Sequence, residues 1–348
     1  MVDLGWRSRL SDDEAGEVRA LLDEVTEADG RPPVSEAAVL RLRARPRPQR
    51  LPLPGEGGAE DHAVLHLLAR AAPTETPNTS APTGEHAGGR LVGYAQLDAQ
   101  LDGGGGGDGG DGGGGATGEL AVHPEYRRRG IGGELVRALM ERSGADGATC
   151  GRRLQVWAHG AHPAAARLAQ RYGFTVTRTL WRMRRSLLEP PLDEPSWPDG
   201  VRVRPFRVGR DEAAFVEVNN KAFAWHPEQG GWDVEQVRAR EALPWFDAAG
   251  FLLAVQTGTD AATDRILGFH WTKVHSAELG EVYVLGVDPA EHGRGLGAPL
   301  TLAGLQHLRA RGMSTVMLYT EADNAPAVHT YERLGFTHWD TDVAYSSP

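Results

Sequence analysis

Apolar residues recur three and four positions apart in several segments of the chain, as they do on the buried face of a helix. The first such segment follows residues 11–14 (Ser-Asp-Asp-Glu), which have the form of a capping box. Its apolar face comprises Ala15, Val18, Leu21, Leu22 and Val25. A second helix is predicted after Ser35, and apolar runs predict strands over 62–69, 91–97 and 118–122.

The second half of the chain also alternates between strand-like and helix-like patterns. It starts with the strand pattern of 201–206 and ends with a helix after Asn324 and final strands. Between them the pattern predicts helices around 212–222 and 234–240 and strands over 251–256, 266–273, 281–287 and 315–319. Each half therefore predicts an α+β fold in which a central sheet is flanked by helices.

A proline-rich segment divides the two halves. Residues 189–200 contain spaced prolines, a Pro-Pro step and a final glycine, which end regular structure. We therefore predict an N-terminal domain over 1–188, this linker, and a C-terminal domain over 201–348, which agrees with the length of 348 residues. Within the first half, 73–89 and the glycine run 103–115 have too few apolar residues to pack, and we expect mobile surface loops there.

One motif occurs in both halves, at 121–132 (AVHPEYRRRGIG) and at 286–297 (GVDPAEHGRGLG). Each copy runs from an apolar strand through a proline to a Gly-x-Gly pair and then into a helix. The glycines leave backbone N–H groups uncovered at a helix N-terminus, where the helix dipole also favours negative charge. Each copy therefore predicts a cradle for a pyrophosphate. The alternative is a tight turn that binds no ligand, and this alternative has more weight for the first copy than for the second.

Composition narrows the possible partners. The chain has 37 basic and 47 acidic residues, a net charge of −10, which argues against nucleic-acid binding. The single cysteine, Cys150, excludes an internal disulfide and fits a reducing cytoplasm. No apolar stretch reaches membrane-spanning length, the first residues lack a signal-peptide pattern, and no histidine spacing suggests a metal site. We expect a cytoplasmic monomer that binds no metal, membrane or nucleic acid.

The spacing Arg127-x-x-Gly130-x-Gly132 resembles the acyl-CoA pyrophosphate motif of the GNAT acetyltransferase superfamily. Each half also has a Gly-Phe pair further along, within 172–174 (YGF) and 334–336 (LGF). The resemblance implies two tandem GNAT domains, each with a central mixed, mostly antiparallel sheet flanked by helices. It also implies acetyl-CoA as the co-substrate.

The two halves differ in the side chains that could move protons. When they are aligned at the cradle and at the Gly-Phe pair, Glu281 matches Ala116 and Tyr331 matches Ala169. An amine must lose a proton before it attacks a thioester, and the departing thiolate accepts one, so Glu281 is the candidate base and Tyr331 the candidate acid. Either residue alone would be an ordinary edge or packing residue. Together at one cradle they predict that the C-terminal domain is the catalytic one.

Further segments resemble the mycothiol synthase family of tandem GNAT proteins, namely 219–223, 226–232, 268–275, 280–289 and, in the first half, 157–160. The resemblance implies transfer of an acetyl group from acetyl-CoA to the cysteinyl amine of cysteinyl-glucosaminyl-inositol, which gives mycothiol. It also implies substrate contacts at Glu36, Glu228, Lys273, Glu281 and Tyr319. Two alternatives stay open: acetylation of another small amine, such as an aminoglycoside or polyamine, and a non-catalytic acetyl-CoA-binding sensor.

The resemblance places acetyl-CoA contacts in both halves. In the C-terminal domain they are Leu285, Gly286, Val287, His292, Gly293, Arg294, Gly295, Leu296, Gly297, Ala298, Asn324, Ala325, Pro326, Ala327, Val328 and His329. In the N-terminal domain they are Leu120, Ala121, Val122, Arg128, Arg129, Gly130, Ile131, Gly132 and Gly133. Backbone N–H groups over 285–287 are expected to stabilise the oxyanion. His292 replaces the Gln or Arg common at its position, and His226, His270 and His275 are expected to be hydrogen-bonded structural residues.

Overall fold

The computed structural model describes residues 2–42, 61–71, 89–101, 115–144, 153–224, 229–256 and 264–348. Nearly all of the two predicted insertions lies outside the described residues, as do Cys150, His226 and Glu228. The chain divides into two compact units: unit 1 comprises Met1–Thr179 and Thr341–Pro348, and unit 2 comprises Leu180–Asp340.

Strands and helices alternate along the described chain largely where the hydrophobic pattern places them. In the first half they are β1 (Val2–Arg7), α1 (Asp12–Asp29), α2 (Glu36–Arg41), β2 (Asp61–Ala71), β3 (Leu91–Leu101), β4 (Ala116–Val122), α3 (Ile131–Ser143), β5 (Leu154–Ala158), α4 (Pro163–Arg171) and β6 (Thr175–Ser186). The second half contains β7 (Val201–Pro205), α5 (Glu212–Ala222), α6 (Val234–Glu241), β8 (Phe251–Gln256), β9 (Arg265–Val274), β10 (Leu279–Val287), α7 (Gly297–Ala310), β11 (Thr315–Glu321), α8 (Ala325–Arg333) and β12 (Thr337–Ser346).

Helix α1 confirms the predicted capping box. The N–H of Glu14 donates to Oγ of Ser11, and the N–H of Ser11 donates to Oε2 of Glu14, so both ends of the box are closed. The apolar face predicted from the sequence is the buried face, and it packs against Leu68 and Tyr94 of the sheet. Helix α2 begins after Ser35, whose Oγ accepts the N–H of Ala38.

Among the strands that the structure describes, each unit is built on a mixed sheet in which one strand pair is parallel. In unit 1 the strand order is β1-β2-β3-β4-β5-β12, and only β4 and β5 run parallel. In unit 2 the order is β6-β11-β10-β9-β8-β7, and only β10 and β11 run parallel. The mixed, mostly antiparallel α+β fold predicted for each half is therefore confirmed.

The boundaries of the two units do not coincide with the predicted linker at 189–200. Residues 180–188, which precede the linker, belong to unit 2, where β6 pairs with β11. Residues 341–348, at the far end of the second half, belong to unit 1, where β12 pairs with β5. Each unit therefore contains a strand segment from the other half of the sequence.

Helices bury apolar side chains against the sheet of each unit. In unit 1, Ile131, Leu135 and Leu139 of α3 pack with Leu67 and Leu154. In unit 2, Phe215 of α5 packs edge-on against Phe251 and Phe269 of the sheet, with ring centres 4.9 and 4.8 Å apart. Fully burying an aromatic or leucine side chain contributes roughly 1.5–3 kcal/mol, so these clusters fix the strands that carry the two cradles.

Candidate active site

The parallel strands of unit 2 separate where the second cradle begins. Strand β11 pairs with β10 only over 279–282, whereas β9 pairs with β10 as far as Val287. The N–H of Asp288 donates to the carbonyl of Leu267, on the β9 side, at 2.9 Å. Because successive N–H groups in a strand point in opposite directions, the N–H groups of Leu285 and Val287 face the gap that β11 leaves. These are donors of the kind an oxyanion requires.

Unit 1 repeats this geometry. Strand β5 pairs with β4 only over 116–118, and the N–H of His123 donates to the carbonyl of Val92 at 3.0 Å. The same alternation turns the N–H groups of Leu120 and Val122 toward the gap between β4 and β5. Both halves therefore keep the opened strand pair that precedes a cradle.

The second cradle is a glycine loop between a short turn and helix α7. After the turn at Pro289–Glu291, Gly293 and Gly295 have φ angles of 80° and 76°, in the left-handed region that favours glycine. Apart from its chain neighbours and the backbone of its own helix, a Cβ added at Gly293, Gly295 or Gly297 would have no described atom within 4 Å, so distant parts of the described chain leave this loop open. Open space above backbone N–H groups at a helix N-terminus is what a pyrophosphate needs.

The first cradle has the same backbone with one strained residue. Gly130 has a φ of 90°, and Arg128, at the position of Gly293, has a φ of 64°. A non-glycine residue in this region costs on the order of 1–2 kcal/mol, so the loop shape is maintained against a local preference. A Cβ at Gly132 would lie 3.3 Å from Leu168, which makes this cradle tighter than the second.

His292 takes over a contact that arginine makes in the first half. Its Nε2 lies 3.3 Å from the carbonyl oxygen of Val287, and Nε of Arg127 lies 3.2 Å from the carbonyl oxygen of Val122. Both side chains therefore reach back from the loop to the end of the preceding strand. Histidine at position 292, where Gln or Arg is common, therefore preserves the contact with the end of the strand. Arg127 differs in that it also forms a bidentate ion pair with Asp29.

The other predicted acetyl-CoA residues lie on the two cradles or at helix α8. Arg294 pairs with the buried carboxylate of Glu291, which also binds Arg265. In the first half, Arg129 lies over the ring of Tyr126, with its Cζ 4.8 Å from the ring centre. Asn324 caps α8, where its Oδ1 accepts the N–H of Ala327 at 3.3 Å, and residues 325–329 form the first turns.

Glu281 lies near the start of β10 with only 6 % of its surface exposed. Its Oε2 is 2.6 Å from Nε2 of His275, and its cross-strand neighbour on β9 is Lys273. A buried carboxylate is stable only where hydrogen bonds replace its hydration, and His275 supplies one. The sequence alone predicts only a structural role for His275. The register of the β9–β10 hairpin could have predicted this contact. The N–H of His275 donates to the carbonyl of Leu279, and Glu281, two residues beyond Leu279, is then the diagonal neighbour of His275 across the hairpin.

Lys273 lies against aromatic rings beside Glu281. Its Nζ is 5.0 Å from the ring centre of Trp245 and 5.1 Å from that of Tyr283, within the range of cation–π attraction. Nε of Arg240 donates to the Tyr283 hydroxyl at 2.8 Å. A cavity opens here, lined by Trp245, Phe246, Asp247, Lys273, His275 and Arg311. Polar and aromatic groups that converge on a cavity next to a buried carboxylate form a candidate acceptor site.

Tyr331 lies on α8, four positions before Gly335. Its ring packs edge-on against Phe336 with ring centres 5.7 Å apart, and burial raises the pKa of its phenol to about 12. The group therefore keeps its proton throughout the physiological range. Its helix begins at the Asn324 cap, seven positions earlier in the chain.

The remaining predicted substrate residues lie apart in the sequence. Tyr319 is on β11 and is 40 % exposed. Glu36 is the first residue of α2 in unit 1, directly after the cap residue Ser35. Glu228 lies outside the described residues. The structure thus brings Lys273 and Glu281 together as cross-strand neighbours in unit 2.

Unit 1 contains a buried ionic cluster that the sequence analysis missed. Nδ1 of His159 is 3.0 Å from Oδ2 of Asp342, and its Nε2 is 3.4 Å from Oε2 of Glu119. Oε1 of Glu119 accepts the hydroxyl of Ser35 at 2.6 Å, and Oδ1 of Asp342 accepts the N–H of Gly160 at 2.7 Å. Burial alone would lower the pKa of His159, but its bonds to the two carboxylates outweigh burial and raise it to about 10.

Within the described ranges, no group of three or more His, Cys, Asp or Glu residues could hold a metal ion. None of the helices in that part of the chain combines the length and the apolar content required to cross a membrane.

Comparison with known proteins places both halves in one family. The family model described as the acetyltransferase (GNAT) family matches residues 57–174 and 218–336. The chain is 45 % identical to the mycothiol acetyltransferase of Saccharopolyspora erythraea over 94 % of this chain and 99 % of that protein. It is 46 % identical to the mycothiol acetyltransferase of Actinosynnema mirum over 99 % of this chain and 100 % of that protein.

Solved structures agree on the fold. A tandem GNAT protein from the clavulanic acid biosynthesis pathway aligns with a TM-score of 0.63 at 19 % identity, over 100 % of this chain and 98 % of that one. A GCN5-related N-acetyltransferase from Sphaerobacter thermophilus aligns with a TM-score of 0.58 at 22 % identity, over 99 % and 96 % of the two chains. With two family matches and relatives similar over nearly its whole length, the chain belongs to the GNAT acetyltransferase family, as a tandem acetyl-CoA-dependent acyltransferase grouped with the mycothiol acetyltransferases.

Proposed function

We propose that this protein transfers the acetyl group of acetyl-CoA to the cysteinyl amine of cysteinyl-glucosaminyl-inositol, giving mycothiol and CoA. We assign the reaction to the second cradle, with Glu281 as base and Tyr331 as acid. One observation supports this assignment above all: when the halves are aligned at the cradle and at the Gly-Phe pair, the second half has Glu281 and Tyr331 where the first half has Ala116 and Ala169. The acceptor follows from the relatives, which are mycothiol acetyltransferases at about 45 % identity.

The reaction begins with deprotonation of the acceptor. An α-ammonium group with a pKa of roughly 7.7–8.0 has no lone pair until it loses a proton, so a nearby carboxylate accelerates the reaction. Glu281 accepts that proton directly or through a water. Its contact with His275, which lines the cavity, supports this role, because a carboxylate close to the acceptor cavity can hold the ammonium group within reach for proton transfer.

The free amine then attacks the thioester carbonyl, and negative charge develops on its oxygen. The N–H groups of Leu285 and Val287, which face the gap between β10 and β11, are positioned to donate to that oxygen. When the intermediate collapses, Tyr331 donates to the departing sulfur. Its pKa of about 12 lies above the usual 8.5 of a thiol, so complete proton transfer is uphill by about 5 kcal/mol and hydrogen bonding to the thiolate is the main effect.

We infer that the first cradle binds acyl-CoA without transferring the acyl group. Its backbone matches that of the second cradle at Arg128 and Gly130, and strand β4 presents the same outward N–H groups. It lacks a base and an acid at the aligned positions. A cytoplasmic, monomeric state belongs to the same proposal and is supported by the net charge of −10 and the single cysteine.

Product analysis by mass spectrometry tests the function. The purified protein is incubated with acetyl-CoA and cysteinyl-glucosaminyl-inositol, and the product is treated with a thiol alkylator. An N-acetyl product that still reacts with the alkylator is expected, since the thiol is not the acceptor. Glucosaminyl-inositol without the cysteine serves as the control and is expected to remain unmodified.

Two other outcomes would contradict the proposal. Faster acetylation of an aminoglycoside or a polyamine would favour a different acceptor. Binding of acetyl-CoA without turnover on any amine would favour a sensor.

A further inference from the structure

We propose that His275 is a positioning residue for Glu281: its Nε2–H holds one carboxylate oxygen and leaves the other to accept the proton of the amine. The inference rests on the proposed function, because it gives the base a partner that orients it. The observation behind it is the 2.6 Å contact between Nε2 of His275 and Oε2 of Glu281.

The turn that carries His275 is fastened on both sides. The N–H of His275 donates to the carbonyl of Leu279 at 2.9 Å, and Oγ of Ser276 accepts the N–H groups of Glu278 and Leu279 at 3.3 and 3.2 Å. The backbone at the base of the imidazole is therefore fixed by bonds within the turn. A ring mounted on such a turn can hold a neighbouring carboxylate in one orientation at little further entropic cost.

The carboxylate and the imidazole differ in exposure. The Glu281 side chain is 7 % exposed, whereas that of His275 is 30 % exposed and lines the cavity. The other charged groups that line this cavity are Lys273, Asp247 and Arg311, and Asp247 is engaged by Arg311 and by His307. His275 therefore stands between the open cavity and the buried base, in contact with both.

The tautomer follows from the geometry. An ionised carboxylate accepts hydrogen bonds and has none to donate, so the nitrogen that faces Oε2 must carry a hydrogen. The bond occupies Oε2, and rotation of the carboxyl group would break it. Oε1 is then the oxygen that receives the proton of the ammonium, directly or through a water. A fixed oxygen shortens the search for a productive geometry, which is how positioning contributes to rate.

The first half offers an internal comparison. It has Ala116 at the position of Glu281, and the glycine run 103–115 stands where the second half has the His275 turn. Both the base and its partner are therefore absent from the half that we infer does not transfer the acyl group.

Two substitutions separate the hydrogen bond from the ring. The amide nitrogen of His275→Gln is as many bonds from Cα as the imidazole Nε2, whereas the amide nitrogen of His275→Asn is one bond short. We expect His275→Asn to lower kcat by about 10- to 100-fold, the usual effect of losing a hydrogen bond to a charged group, with little change in KM for acetyl-CoA. We expect His275→Gln to recover most of that loss.

His338→Asn, the same change at a histidine that contacts Trp181 in unit 2, is the control and should leave kcat unchanged. Equal and severe losses in His275→Gln and His275→Asn would overturn positioning by hydrogen bonding and assign the imidazole itself a proton-transfer role. Wild-type kcat in His275→Asn would overturn the proposal entirely.

A double-variant comparison separates this proposal from the function on which it rests. If His275 acts through Glu281, Glu281→Gln combined with His275→Asn should be no slower than Glu281→Gln alone. Additive losses would overturn the proposal. Normal turnover by Glu281→Gln alone would instead remove Glu281 as the base and contradict the proposed function.

A readout without substrate completes the test. Nitrogen-15 spectra of labelled histidine should show His275 fixed as the Nε2–H tautomer in the wild-type protein, and this preference should weaken in Glu281→Gln. An Nδ1–H tautomer in the wild-type protein would overturn the hydrogen bond on which the inference depends.

Discussion

The buried cluster of Glu119, His159 and Asp342 should contribute measurably to the stability of unit 1. The perturbation is Asp342→Asn, which removes one charge and keeps an oxygen that can accept the N–H of Gly160. The two carboxylates raise the pKa of His159 from 6.5 to about 10, which corresponds to about 5 kcal/mol in favour of the charged ring. If the carboxylates share this equally, the substitution destabilises unit 1 by about 2–3 kcal/mol and lowers its melting temperature by roughly 4–12 °C.

The stability that the cluster contributes depends on pH. His159 has a folded pKa above its unfolded value, so its contribution is complete below pH 6.5 and is lost as the pH rises through about 10. For Glu119, burial raises the pKa, but the bonds to His159 and Ser35 outweigh burial and lower it, so its contribution is lost only at acid pH. In Asp342→Asn the alkaline loss should begin at a lower pH, because His159 keeps one carboxylate partner instead of two.

Hydrogen exchange of backbone amides, resolved by segment, is the suitable assay because the two units need not unfold together. Protection should fall in unit 1 and remain unchanged in unit 2. Glu217→Gln is the control, since Glu217 pairs with Lys221 on an exposed helix surface, where an ion pair contributes little to stability. Wild-type protection in Asp342→Asn from pH 7 to pH 10 would refute the electrostatic account of this cluster.

Three further predictions concern the reaction. Glu281→Gln should lower turnover by roughly 10²–10⁴-fold while acetyl-CoA binding measured by calorimetry stays near the wild-type value; wild-type turnover would place the base elsewhere. Tyr331→Phe should lower kcat with little effect on either KM, and because the Tyr331 pKa is about 12, the phenol should cause no loss of wild-type rate up to pH 10 in a stopped-flow pH profile. Gly297→Leu should abolish acetyl transfer without unfolding unit 2, since a Cβ there enters open space. Gly132→Leu should leave acetyl transfer intact and destabilise unit 1 through contact with Leu168. Loss of transfer only in the Gly132 variant would reverse our assignment of the catalytic half.

Features encoded within a few neighbouring residues could be predicted from the sequence. The capping box at Ser11 and Glu14 uses residues three positions apart. The cradles can be recognised from prolines and glycines, which determine the local backbone conformation. The two-fold repeat of these signals is sufficient to predict two α+β units of one family. Assignment of the acceptor required resemblance, because many chemistries share this fold.

The parts that escaped prediction depend on distant residues. His159 and Asp342 are 183 positions apart, and no local pattern connects them. The partnership of His275 with Glu281 depends on the register of a hairpin, which a one-residue slip would abolish. Likewise, the crossing of 180–188 into unit 2 and of 341–348 into unit 1 depends on which strands pair, and alternation of apolar residues leaves that choice open.

That exchange of strand segments affects how the protein emerges from the ribosome. Strand β5 pairs with residues 343–346 of β12, which are synthesised after the whole of unit 2. Until then the nascent unit 1 has β5 as an unpaired sheet edge and lacks Asp342 beside His159. Its folding therefore includes a long-range closure late in synthesis, and such closures are slow. The whole of the second unit must be translated before the first unit can be completed. The N-terminal unit is therefore the one that needs protection from aggregation for the longest time.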